Sequence, residues 1–155
     1  MAIVTAAFRS VSESHLKQLR EAMAAVVSPP AKIAQLVRTL ETSDTGGAAI
    51  CMDVWRLGRT NDALRAELDR QNGLWSDAVE DVLHEGIRLG VFRVEDPATS
   101  AFKLIVAVDG LFTQRLTQAA DASTLIEMAT TFADAELGLV PPATVAPAAH
   151  PVGGS

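Results

Sequence analysis

The sequence predicts an all-α fold, a helical bundle of five to six helices, and three observations carry that reading. Apolar residues recur at helical spacing along most of the chain, while no apolar–polar alternation of the kind a half-buried strand needs survives more than a few residues. Helix-starting and helix-stopping residues fall between those stretches, with Ser10, Pro30, Asn61, Asp96 and Asp121 at starts and Gly90 and Gly138 at ends. Finally, 155 residues that are 48% hydrophobic and 21% charged make one ordinary domain, able to bury about two-thirds of its unfolded surface.

Ser10-Val11-Ser12-Glu13 has capping-box spacing, so a first helix is expected from about residue 12 to 27, behind an N-terminal lead at 1–11. Ser28-Pro29-Pro30 stops it, and Pro30 opens a second helix to about 42 with the stripe Ile33, Leu36, Val37 and Leu40. Thr45-Gly46-Gly47 breaks that helix, and a third, about 48–58, carries Met52, Trp55 and Leu57. Asn61 or Asp62 caps a long fourth helix reaching Leu89, with Leu64, Leu68, Trp75, Val79, Val82 and Leu83 on one arc and Gly86 beside them. Gln71 and Asn72 intrude on that arc as pocket groups or as a helix break at Asn72-Gly73. Asp96-Pro97 starts a fifth helix to about Ala119, and Asp121 or Ser123 caps a sixth ending near Gly138. Residues 139–155 are rich in Pro and Ala and read as a flexible tail.

A net charge of −6 and scattered basic residues argue against a grip on a phosphate backbone, so this chain is expected to be a poor DNA binder by itself. One cysteine, Cys51, forms no internal disulfide and reads as a small buried apolar residue. No secretory segment and no membrane-length apolar run is present, so the expected location is cytoplasmic, with no membrane partner. Glu80 and His84 sit four apart, but His84 points off the apolar arc, and the pair reads as a solvated face; neither a metal nor a cofactor is expected. Phosphate loops, nucleophile elbows, H-E-x-x-H and C-x-x-C patterns are missing, so the chain reads as no enzyme.

The fifth helix carries AFKLIVAVDGLF at 101–112, where Asp109 falls among Phe102, Ile105, Phe112 and Leu116. A carboxylate is costly to bury alone. Three readings follow: a framework carboxylate paired with an arginine or with Thr113, a polar anchor for a ligand, or a helix break at Asp109-Gly110. Leu104, Val108 and Leu111 form a second apolar arc, and the sixth helix shows a broad stripe through Leu125, Met128 and Phe132. More apolar surface than one small core can use points to a homodimer through the last two helices.

The stretch Trp75–Leu116 resembles the C-terminal domain of tetracycline-repressor (TetR/AcrR) family transcription factors. The family pattern L-x-x-G-x-x-x-G-x-F-R appears as Leu83-His84-Glu85-Gly86 through Gly90-Val91-Phe92-Arg93, followed by Asp96-Pro97 and Asp109-Gly110-Leu111. The likeness extends over about residues 12–138. It implies an all-helical ligand-sensing and dimerisation domain at 12–138, with pocket walls at Leu36, Met52, Trp55, Trp75, Val79, Phe102 and Val106 and an anchor at Asp109. Trp55, Trp75, Met52, Phe102 and Val106 read most simply as core. It further implies a dimer interface at Leu104, Val108, Leu111, Arg115, Leu125, Met128 and Phe132. The expected function is small-molecule sensing by a repressor-type regulator, with a small hydrophobic effector as partner and DNA contacted only through an N-terminal helix-turn-helix domain. No such domain precedes Ser10 here, which reads either as a piece of a longer protein or as a loss of the DNA-reading half. The alternative is a stand-alone helical dimer that sequesters a hydrophobic small molecule or serves as an interaction module.

Overall fold

The computed structural model describes residues 2–42, 45–117 and 121–139, with the backbone alone over 45–49. Six helices follow one another: α1 (Ala2–Ala24), α2 (Pro29–Thr42), α3 (Thr45–Gly58), α4 (Asp62–Arg88), α5 (Pro97–Leu116) and α6 (Ala122–Glu136). The described residues contain no strand, and the fold is all-α.

Three helix starts are fixed by side chains that accept an otherwise unpaired amide of the first turn. Asn61 Oδ1 accepts from the Leu64 amide at 2.9 Å, Asp96 Oδ1 from Thr99 at 3.1 Å and Asp121 Oδ1 from Thr124 at 3.0 Å. Pro97 fills the first position of α5, where its missing N–H costs nothing.

Several boundaries differ from expectation, α1 ending at Ala24 rather than near residue 27 and α5 at Leu116 rather than near Ala119. Helix α1 begins at Ala2, so the 1–11 lead is helical from residue 2 and Ser10 lies inside the helix rather than capping it. Extending the helix upstream buries Phe8 against Val54, Leu64 and Leu68, and that burial outweighs a local capping pattern. Helix α3 begins at Thr45, so Gly46 and Gly47 sit in its first turn, where amides have no intrahelical partner to lose. Helix α4 runs unbroken through Asn72-Gly73. The tail from residue 140 lies outside the described residues. Leu139, expected in the tail, instead closes the end of α6 by donating its amide to Asp134 O at 2.8 Å.

The family-like glycine pattern has a packing cause. A Cβ on Gly86 would fall 2.0 Å from Cδ2 of Phe92, so the Phe92 ring lies directly on the glycine. Gly90, with φ +71°, turns the chain out of α4 and brings Phe92 back onto it. The Arg93 amide then donates to Leu137 O at 3.0 Å, tying the α4–α5 link to the end of α6.

The core has two parts. The larger joins the C-terminal half of α1 to α2, α4, α5 and α6 through residues such as Leu36, Leu40, Val79, Leu83, Leu104 and Leu125. The smaller gathers Phe8, Val54, Leu64 and Leu68 from α1, α3 and α4.

Candidate functional site

Between the two clusters lies a cavity of about 110 Å³, walled by α1, α2, α3, α4 and α5. Phe8, Leu36, Trp55, Trp75, Ile105, Val108 and Phe112 give it an apolar lining, and Ser12, His15, Thr39, Cys51, Gln71, Asn72 and Asp109 contribute polar or sulfur atoms. Greasy walls with a few polar groups are what a small-molecule site requires.

The polar groups come in two kinds. Some are already used within the protein: Trp75 Nε1 donates to Ser12 Oγ at 3.2 Å, and Thr39 Oγ1 donates to Leu36 O at 2.6 Å. Asp109 is different. Its backbone oxygen accepts from Thr113 Oγ1 at 3.0 Å, but its carboxylate has no hydrogen-bond or cationic partner among the described residues. Burial alone raises its pKa from 3.8 to about 6. Burial, and then the nearby Asp109 charge, push the Cys51 thiol up to about 11, which leaves it protonated and inert at neutral pH.

Behind the cavity wall, a buried carboxylate organises α1 against α4. Glu67 accepts from Arg9 Nε at 3.1 Å and Nη2 at 2.7 Å, and from Arg70 Nη2 at 2.8 Å. Gln71 Nε2 adds a further bond at 2.9 Å. Arg9 first, then Arg70, hold the Glu67 pKa down to about 2. The residues that this cluster fixes are themselves half out in water, since the Arg9 and Arg70 side chains are 50% and 45% exposed.

Residues 31–138 match the family described as the C-terminal domain of BetI-type transcriptional repressors. The chain belongs to that family. A solved structure described as a TetR transcription regulator from Haloarcula marismortui ATCC 43049 is similar over 84% of this chain and 75% of its own, with a TM-score of 0.64 and 17% identity. At that identity the likeness speaks for the fold. No curated protein matches the chain.

Within this BetI-type domain, four of the residues expected at a pocket share the cavity wall: Leu36, Trp55, Trp75 and Asp109. The other four do not line it. Val79 is sealed in the larger core, and Met52 lies exposed on α3. Phe102 and Val106 are turned outward on α5, because Ala101, Leu104, Ile105 and Val108 occupy the buried side of that helix.

The residues expected at a dimer interface divide in the same way. Leu104 and Leu125 are buried in the chain's own core, and Val108 is buried at the cavity wall. Leu111 packs partly buried against the larger core. Arg115 donates from Nη1 to Leu40 O, bracing α5 against α2. Met128 and Phe132 are exposed, at 53% and 38%, as are Phe102 and Val106 on the neighbouring helix, at 58% and 50%.

The sequence reading missed Phe8, Ser12, His15, Thr39, Ile105 and Phe112 as wall residues. Phe8, Ser12 and His15 follow i, i+4, i+7 spacing, but Phe8 falls before the helix start expected near residue 12, which hid the stripe. Among the described residues no group of three or more His, Cys, Asp and Glu could hold a metal ion. No helix among them is long and apolar enough to cross a membrane.

Proposed function

We propose that this chain is the small-molecule-sensing and homodimerisation domain of a BetI-type transcriptional regulator, acting by binding rather than by catalysis. The observation that carries the sensing half is the unpartnered Asp109 carboxylate in an aromatic-walled cavity between two core clusters. A framework role would have supplied that carboxylate with a cation, and leaving it half-buried without one lowers stability. A ligand that satisfies it recovers that loss only when bound, which couples occupancy to the packing of five helices. DNA contact in this reading falls to a separate helix-turn-helix domain, in keeping with the net charge of −6.

The dimer in this reading forms through outward residues of α5 and α6, chiefly Phe102, Val106, Met128 and Phe132. Two adjacent helices, tied by Lys103 Nζ to Glu136 Oε1 at 3.0 Å, each expose an i, i+4 apolar pair. Light scattering tests it directly. The wild-type chain should have twice the protomer mass, and Phe132→Glu or Phe102→Glu should shift it to monomer while circular dichroism keeps its helical signal. A wild-type chain that stays monomeric at high micromolar concentration would remove the dimer.

A further inference from the structure

We infer that the cavity is incomplete within one chain, and that a second copy of the chain, docked on the outward face of α5, supplies the missing outer wall beside Asp109. The inference rests on the dimer and the sensing role proposed above and says where the two meet.

The stripe of α5 that carries Asp109 has two different flanks. At about 3.6 residues per turn, Phe102, Val106, Asp109 and Thr113 fall within about 60° of one another on that helix. Along one edge of the stripe run Ile105 and Phe112, which line the cavity. Beyond the other edge, Ser100 and Lys103 reach across to Glu136 of α6. Asp109 therefore stands between the cavity and the exposed face of α5, and belongs to both.

The cover over this stripe changes along its length. At Asp109 it is shared with α3, whose Cys51 lies close enough for the Asp109 charge to help raise its thiol pKa, and the carboxylate is half-buried. One turn earlier Val106 is exposed, and Phe102 a turn before that. The stripe thus runs out from beside α3 between Asp109 and Val106. Helix α3 is seated elsewhere, on α1 and α4, with Val54 packed against Phe8, Leu64 and Leu68. Its Trp55 lines the cavity and is exposed as well, and Met52 beside it is bare. The gap between α3 and α5 consequently has an apolar, uncovered rim on both sides, and the cavity lies behind it.

The face adjoining that gap indicates what covers it. Phe102 and Val106 continue into Met128 and Phe132 across the α5–α6 seam. Lys103 and Glu136 at the seam cancel in charge, so two copies of this face bring no net like charge together. Gly110 is exposed on the same side with open space where a Cβ would stand, so another helix can come close there. A small ligand protruding through the gap would cover its rim and leave Met128 and Phe132 bare. A second copy covers the rim and the rest of the face together, and two-fold symmetry then closes both cavities at once. Association and occupancy of the cavity favour one another in this arrangement, as linkage requires.

Cys51 is the chain's one cysteine and stands on the cavity wall of α3, so its alkylation by iodoacetamide, followed by intact mass, reads access through the gap. Wild type above its dimer midpoint is compared with wild type diluted below it, and with Phe132→Glu, a substitution on α6 outside the cavity. Cys51 should react at least about tenfold faster in the two monomeric samples than in the dimer. Dilution needs no substitution, so it carries the comparison if Phe132→Glu fails to melt cooperatively. Equal rates in dimer and monomer would overturn the shared wall while leaving the dimer standing. A wild-type chain that scatters light as a monomer throughout would remove the dimer and this inference with it. The readout uses no ligand, so either result leaves the sensing role to its own test.

Discussion

Replacing Asp109 by Asn should stabilise the unliganded protein. In the fold its pKa is about 6, against 3.8 unperturbed, and burial is the cause. The folded state therefore holds the proton more tightly than the unfolded state. Protonated, Asp109 costs little; as pH rises from 3.8 through about 6, folding must bury a charge and stability falls. Each pH unit of that separation is about 1.4 kcal/mol, so the full loss above pH 6 is about 3 kcal/mol. Asparagine removes the charge but brings an amide whose own hydrogen bonds are incompletely met, at about 1–2 kcal/mol. The net gain at neutral pH is about 1–2 kcal/mol, or about 3–6 °C in Tm for a domain of this size. Urea melts of both proteins, taken at intervals from pH 4 to 7.5, read the gain and its origin together. The two curves of stability against pH should diverge through the interval from 3.8 to about 6 and run parallel above it. A mutant less stable than wild type at neutral pH would refute the reasoning, because it would mean the carboxylate has a partner that stabilises it.

Glu67→Gln should act in the opposite direction. A buried carboxylate that loses its charge strands two arginines, but both reach water, so the cost should be about 1–3 kcal/mol rather than that of a fully buried pair. Because Arg9 and Arg70 hold its pKa down to about 2, its stabilisation is complete above the unfolded value of about 4.3 and is lost as pH falls toward 2. Acid-induced unfolding, followed by circular dichroism, should therefore show a shallower slope over that interval in the mutant. Gly86→Ala should destabilise by about 2–3 kcal/mol, since its Cβ would displace the buried Phe92 ring. Combining it with Phe92→Leu should recover part of that loss in urea melts, and strict additivity of the two would disprove the contact.

Much of the fold was legible because its signals are local. Asn61, Asp96 and Asp121 cap helices through their own side chains, and the stripes of α2 and α4 match the buried faces. The site was legible in part. Trp55, Trp75, Leu36 and Asp109 meet at one cavity, but α5 is apolar around two arcs, and periodicity alone cannot choose which arc faces inward. Its rotation is set by packing on α4 and α6, which buries Leu104 and Val108 and leaves Phe102 and Val106 outside. The state of Gln71 was equally out of reach, since its Nε2 reaches Glu13 from nearly 60 residues away and its nearer partner Glu67 is itself held by Arg9 across a similar gap.

The bond from the Arg93 amide to the Leu137 carbonyl has a mechanical consequence. It joins the start of the α5–α6 hairpin to its finish, and with Ser100 and Lys103 both on Glu136 the hairpin becomes a closed clasp. A clasped hairpin resists peeling, so it behaves as a stiff plate rather than as two hinged rods. The opposite wall of the cavity is built otherwise. There α3 is held by the smaller cluster, and its Met52 and Trp55 already meet solvent. Local opening starts where few side chains are buried, so the α3 side is expected to open before the plate does. Amide hydrogen exchange should reveal that asymmetry as fast exchange over 50–58 and slow exchange over 101–108.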